Sequence, residues 1–364
     1  MSAFAFVLGL AAATLAACDA GGGRVRADGL AAADGRAPGD APTRAPADTA
    51  PGSRSLGSAF ARVTDDVGRD VRVDAPPARI VSLIPAVTEI ILTLAGPDRL
   101  AARTEYDDDA RLAHLPSAGR GLTPNLEWLA RLRPDLVIAW ADVPSRAVVS
   151  RLQELGVPVY AARIETLDDI DATIRRLATL LGVVERGDSL VASIRAELDA
   201  VRAAVAGRRR PSVLYIGDRE PAYAAGPGSF VGELLAIAGG DNIFADAPAA
   251  WPQVGLEEIV RRGPEVVIAA VGEGLGDSLD WMRRAPGWRE LPAVRTGRVH
   301  AVDSERYNRP GPRVGEVARE LARLLHPDAF PDARPGPATA ARPGAAADEA
   351  VRPAPGAPGP ERPS

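Results

Sequence analysis

Five Trp, five Tyr and six Phe are spread over 364 residues, and four of the rings fall where a flat face can meet a ligand. Tyr106, Trp140, Tyr223 and Trp251 each sit at a loop position after a β-like run. In open α/β sheets the C-terminal ends of strands form the mouth where ligands bind. Taken singly, such rings are most often packing. As a set they suit apolar recognition, and Trp251 follows Ala247-Pro248-Ala249-Ala250, where nothing in the local pattern asks for a large ring. Bond-breaking chemistry is poorly supplied. All 43 basic residues are Arg, so neither a Schiff-base lysine nor a Walker A lysine exists. His114, His300 and His326 are too scattered for metal-ligand spacing. No Gly-x-Ser-x-Gly elbow occurs, and Gly226-Pro227-Gly228 is expected to lack the strand-to-helix context of a phosphate loop. These residues point to a binding protein and not an enzyme, with no metal and no resident cofactor.

The single Cys carries a different chemistry. Cys18 ends an apolar stretch from Phe4 to Ala17 and follows Leu15-Ala16-Ala17, which reads as a lipobox: an export signal over residues 1–18 whose Cys is lipidated. One acylated Cys tethers a protein to a membrane surface and does not make it span one. Residues 19–57 are Gly, Ala, Pro, Asp and Arg with almost no large apolar side chain, and residues 331–364 are similar, so both read as disordered segments. The expected product is a monomeric lipoprotein, periplasmic or at the cell surface. Its net charge of −5, with arginines scattered and not gathered in a stripe, gives no footprint for nucleic acid.

Around these residues the folded body, about 60–330, must supply rigid elements. Leu126-Glu127 followed by Arg133-Pro134-Asp135-Leu136-Val137-Ile138-Ala139 reappears 130 residues later as Leu256-Glu257 and Gly263-Pro264-Glu265-Val266-Val267-Ile268-Ala269. Each copy reads as a short helix, a Pro break and a buried strand of a helix-covered parallel sheet. Further strands are expected at 80–83, 157–161, 212–216 and 299–302, with helices at 86–94 and 143–155 between them. The chain is therefore expected to be α/β, with two parallel-sheet lobes, 60–166 and 207–330. The helical stretch 167–206 links them, its second piece a long rigid helix. A cleft between two such lobes is a preferred ligand site.

These stretches resemble the cobalamin-binding and siderophore-binding components of bacterial ATP-driven importers. The resemblance spans about residues 65–326. It rests on Arg79-Ile80-Val81-Ser82-Leu83 with Thr88-Glu89, Asn125-Leu126-Glu127, Pro134 to Trp140, Gly239-Gly240-Asp241-Asn242-Ile243-Phe244, Trp251-Pro252-Gln253-Val254, and Arg309-Pro310-Gly311-Pro312-Arg313. Trp140 and the Trp-Pro-Gln-Val run are more similar to the cobalamin branch. The resemblance implies that Tyr106, Trp140, Tyr223 and Trp251 lay faces on a corrin ring or its nucleotide loop, and that Glu305 and Arg309 make polar contacts to the ligand. It also implies that Glu127 and Glu257 dock on the importer's permease. The implied ligand is cobalamin or a related corrinoid, the alternative a ferric siderophore or haem. One departure is Gly121-Leu122, where the cobalamin branch carries a further Trp.

Overall fold

The computed structural model describes residues 59–121, 124–142, 146–219, 221–272 and 279–330; Cys18, the 19–57 tether and the 331–364 tail lie outside them. Contacts divide the described chain into two units: residues 59–163 with 172–189, and residues 164–171 with 190–330.

The first unit opens with an antiparallel hairpin, β1 (Ala61–Thr64) and β2 (Asp70–Val73). Its turn is set by Asp65, whose carboxylate accepts from the backbone N–H of Val67 at 3.1 Å and of Arg69 at 2.8 Å. There follow β3 (Ile80–Ser82), α1 (Pro85–Ala95), β4 (Leu100–Ala102), α2 (Leu126–Arg131), β5 (Leu136–Trp140), α3 (Arg146–Glu154) and β6 (Val159–Ala162). The strands lie in the order β4-β3-β5-β6, all parallel. Ile80, Val81, Leu136, Val137 and Ile138 are fully buried, as strands covered on both faces require. Pro85 starts α1, where its missing N–H costs no helical bond. The hairpin covers the outer edge of β6: the Asp66 N–H donates to Ala161 O at 3.1 Å and the Asp66 carboxylate accepts from Arg163 N at 2.8 Å.

Two helices, α4 (Leu167–Leu181) and α5 (Val184–Val205), follow, and each is shared between the units. Thr166 and Asp169 form a capping box at the start of α4, each side chain accepting from the other's N–H. Gly187 has no room for a side chain beside Ala178, which lets α5 approach α4 closely.

The second unit contains β7 (Ser212–Arg219), β8 (Ala222–Ala224), α6 (Phe230–Ile237), β9 (Asp241–Asn242), α7 (Leu256–Arg262), β10 (Val266–Val271), α8 (Asp280–Arg284), α9 (Pro292–Arg295), β11 (Val299–Asp303), α10 (Ser304–Tyr307) and α11 (Val314–Leu325). Its sheet runs β11-β10-β7-β8, with β9 beside β7; β8 alone is antiparallel to its neighbour. Leu214, Ile216, Phe244, Ile259, Val267, Met282, Trp288 and Leu291 form a core on this sheet.

The 130-residue repeat is structural. α2 begins at Leu126 and α7 at Leu256; β5 begins at Leu136 and β10 at Val266. Leu129 and Ile259, one per copy, are fully buried. Each copy ends its helix with a left-handed residue, Arg133 at φ 48° and Gly263 at φ 55°. Each then uses the carboxylate after its Pro to hold the start of the adjacent central strand. Asp135 accepts from Ala78 N at 2.8 Å and Arg79 N at 2.9 Å, and Glu265 accepts from Ser212 N at 2.9 Å.

Candidate ligand-binding site

In the first unit, Trp140 is the last residue of β5 and is half-buried at the C-terminal end of the sheet. Tyr106 lies in the loop that leaves β4, a strand of only three residues. Thr104 fixes that loop: its N–H and hydroxyl both donate to Asp107 Oδ2, at 2.6 and 2.9 Å, and its Oγ1 accepts from Tyr106 N at 3.2 Å. A short ladder then zips this loop to the segment 116–119, through Arg103 N to Pro116 O, Ala118 N to Arg103 O and Glu105 N to Gly119 O. The ladder brings Arg120 to Tyr106, whose hydroxyl accepts from Arg120 Nε at 2.8 Å. Gly121 takes φ 82°, and a Cβ there would collide with the Leu83 carbonyl. A ring at this position is therefore sterically excluded; Leu122 lies outside the described residues.

In the second unit, Trp251 is half-buried and meets Tyr215 edge-on, ring centroids 6.4 Å apart. The strip after Trp251 extends the sheet: Ala224 N donates to Pro252 O at 3.0 Å and Val254 N to Ala222 O at 2.9 Å. Tyr223 therefore stands in β8 and not in a loop, and is 9% exposed. The sequence does not show this strand, because β8 has three residues and is made by returning along β7, which only the pairing partner reveals. Tyr215 is fully buried on β7 and its hydroxyl donates to Asn308 Oδ1 at 2.7 Å, while Asn308 Nδ2 reaches Gly217 O at 3.4 Å. Burial pushes the Tyr215 phenol well above its ordinary value. These bonds seat the turn 304–309 against the C-terminal end of β7.

That turn carries Glu305 and Arg309. Asp303 caps α10 by accepting from Glu305 N at 2.9 Å. The Tyr307 hydroxyl donates to Glu320 on α11 at 2.8 Å, and Arg306 bonds Glu316 and Glu320. Glu305 is exposed, whereas Arg309 is 8% exposed and donates through Nη2 to Glu305 at 2.9 Å. A buried guanidinium needs such a partner, since an uncompensated charge is costly away from water.

Glu127 and Glu257 are each the second residue of their helices, α2 and α7, and both are exposed. The Glu127 carboxylate approaches Arg131 only to 3.7 Å. In α7 the neighbouring Glu258 pairs with Arg261 and Arg262, and Glu257 makes no ion pair among the described residues. Gly226-Pro227-Gly228, expected to lack a strand before and a helix after, in fact joins β8 to α6. The first N–H groups of α6 are already used there, Phe230 N by Glu165 O at 2.6 Å and Gly232 N by Ser229 Oγ at 3.0 Å, so the turn offers no phosphate cradle. A groove of about 650 Å³ in the second unit, lined by Asp168, Arg202, Arg208, Arg210 and Glu233 among others, includes none of the aromatic residues named above. His326 is buried with Nε2 3.1 Å from Gly239 O, and His300 lies on β11; the three His do not come together.

The sequence profile of the family described as periplasmic binding protein matches residues 80–305. The chain is 31% identical over 240 residues to the vitamin B12-binding protein of Vibrio parahaemolyticus, covering 65% of this chain and 86% of that protein. In structure it is similar to the periplasmic vitamin B12 binding protein BtuF of Vibrio cholerae, with TM-score 0.60, 29% identity, and coverage of 69% of this chain and 97% of that one. It is similar also to the periplasmic heme-binding protein RhuT of Roseiflexus sp. RS-1, with TM-score 0.62, 28% identity, and coverage of 69% and 98%.

Proposed function

The chain belongs to the periplasmic binding protein family, and from that premise we propose that it captures cobalamin or a related corrinoid and hands it to an ABC-type import permease. The family consists of non-enzymatic substrate-binding components that work in the periplasm. What carries the reading is the placing of Trp140 at the C-terminal end of β5 and of Trp251 beside Tyr215 in the middle of β7. A corrin is a broad, largely apolar disc with amides at its rim, and flat aromatic faces suit it better than charges. Tyr106 and Tyr223 add to those faces, and Arg309 with Glu305 offers hydrogen bonds to rim amides. Glu127 and Glu257 contact the permease, and lipid on Cys18 holds the protein at a membrane. A second reading, a haem or ferric siderophore as cargo, is favoured by the structural similarity to a heme-binding protein, together with Gly121, where the Leu83 carbonyl leaves no room for the further Trp of the cobalamin branch.

Titration calorimetry against cobalamin, haem and ferric siderophores, with visible spectra of the purified protein, tests this. Cobalamin should bind most tightly. Trp251→Ala should then weaken binding roughly thirtyfold, the effect of losing about 2 kcal/mol at a central contact. A Trp251→Ala protein that melts earlier yet binds normally when folded would take Trp251 out of the site.

A further inference from the structure

Arg103 immediately follows β4, at the same end of the sheet as Trp140, and β4 and β5 are separated only by β3. Two strand spacings put them about 10 Å apart across the sheet. The side chain is half-buried. Nη1 donates to Thr104 O at 3.1 Å, Nε is buried with no hydrogen-bond partner, and no carboxylate lies within ion-pair distance among the described residues. Of the other half-buried arginines of this unit, two hold carboxylates and Arg99 donates to Pro77 O at 2.8 Å. Arg176 pairs with Asp66 and Arg69 with Asp65. The exposed Arg79 and Arg186 donate to Leu132 O and Leu94 O at helix C-termini, where the helix dipole supplies negative potential. Thr104 O offers Arg103 no such end. Desolvating a guanidinium without an anion is unfavourable, so Arg103 is a charge built to meet one.

Arg120 stands next in the same loop pair. Arg120 is exposed, and among the described residues its only hydrogen bond is from Nε to the Tyr106 hydroxyl and it has no carboxylate partner. The 103–105 and 116–119 ladder ties the backbones that carry both arginines. The nearby Asp109 is engaged by Arg111. In the second unit, by contrast, Arg309 is already paired with Glu305 and suits neutral acceptors.

We propose that Arg103 and Arg120 recognise an oxyanion on the ligand: the phosphodiester of a nucleotide-bearing corrinoid, or the carboxylates of a macrocycle such as haem. This rests on the reading of the chain as a binder of such a disc-shaped ligand and deepens it, since it assigns the charged group that the ligand must carry. Forked guanidinium donors match oxyanion geometry better than a single point charge does.

The test compares two pairs that differ only in the anion or its charge: cobinamide phosphate with cobinamide, which lacks the phosphate, and haem with haem dimethyl ester, which lacks the free carboxylates. Arg103→Gln and Arg120→Gln should each weaken the anion-bearing member by about tenfold or more, as loss of a hydrogen bond to a charged group implies. Affinity for the neutral member should stay unchanged on the same sample, which also certifies the fold. Equal losses on both members, or no loss on the anion-bearing one, would overturn the inference. A protein that binds haem and no corrinoid would sink the corrinoid reading alone, and the haem pair would then decide the oxyanion. Binding of none of the four would remove both.

Discussion

Arg133 closes α2 at φ 48°, a conformation that costs an L-residue roughly 1–2 kcal/mol, whereas its counterpart Gly263 adopts φ 55° without that penalty. Replacing Arg133 by Gly relieves the strain but enlarges the unfolded ensemble, an offset of about 0.5–1 kcal/mol. Arg133→Gly should therefore stabilise the protein by about 0.5 kcal/mol, read as a higher urea midpoint at unchanged slope; a lower midpoint would mean that the Arg133 side chain does more than occupy the turn. Other residues matter through partners far away in the chain. Trp251, Arg309 and Trp140 could be picked from the sequence because they lie inside short motifs. Tyr215 reads there as one more strand residue, and its meeting with Trp251 and Asn308 emerges only when β7 is seated in its sheet. Arg103 and Arg120 are equally silent among 43 arginines, because the buried, unpartnered Nε of Arg103 and the pairing of 103–105 with 116–119 that carries both exist only in the fold.

At the scale of elements, the carboxylate after each Pro turns a helix-strand repeat into a sheet. Glu265 is held below the usual glutamate range, first by its bond from Arg209, then by the backbone N–H of Ser212 at the start of β7. A carboxylate whose pKa falls on folding adds stability above its unfolded pKa and loses it as pH drops through the folded value. Glu265→Gln should thus cost about 1 kcal/mol at neutral pH, the group being partly exposed. The gap to the unaltered protein should narrow as the pH is taken from neutral to well below the usual glutamate range, where the unaltered carboxylate takes up its proton. Urea midpoints at the two pH values check it, and a gap that persists in acid would assign the loss to packing. The elements visible in the sequence were those with enough residues to show a period. Buried apolar runs predict β3, β5, β6, β7, β10 and β11, and the helical stretch 167–206 meets the start of α4 and, within a residue, the end of α5. β4, β8 and β9, two or three residues each, carry no period and exist through pairing alone. The hairpin β1–β2 did carry a signal, alternating Val and Arg around Asp65-Asp66-Val67-Gly68, which the larger apolar runs overshadowed.

For the whole molecule the repeat gives each unit one exposed Glu at the same place, and stability does not require either. A carboxylate in the first turn of a helix contributes about 0.3–1 kcal/mol through the helix dipole. In α7 that contribution is already available from Glu258, which Arg261 and Arg262 hold below the usual glutamate range. Glu257 is left without an ion pair among the described residues, and Glu127 has only the loose approach of Arg131. Two carboxylates kept in water, one on each unit, suit a permease that presents basic pockets, since rim charges steer encounter and fix register. The double variant Glu127→Ala with Glu257→Ala should abolish ligand uptake by cells, while ligand affinity measured on the purified protein and its melting temperature stay within error. Each single variant should retain part of the uptake, because one contact of the pair survives. Loss of affinity in parallel with uptake would place these residues in the fold or the ligand site, and full uptake by the double variant would mean that the permease reads some other surface.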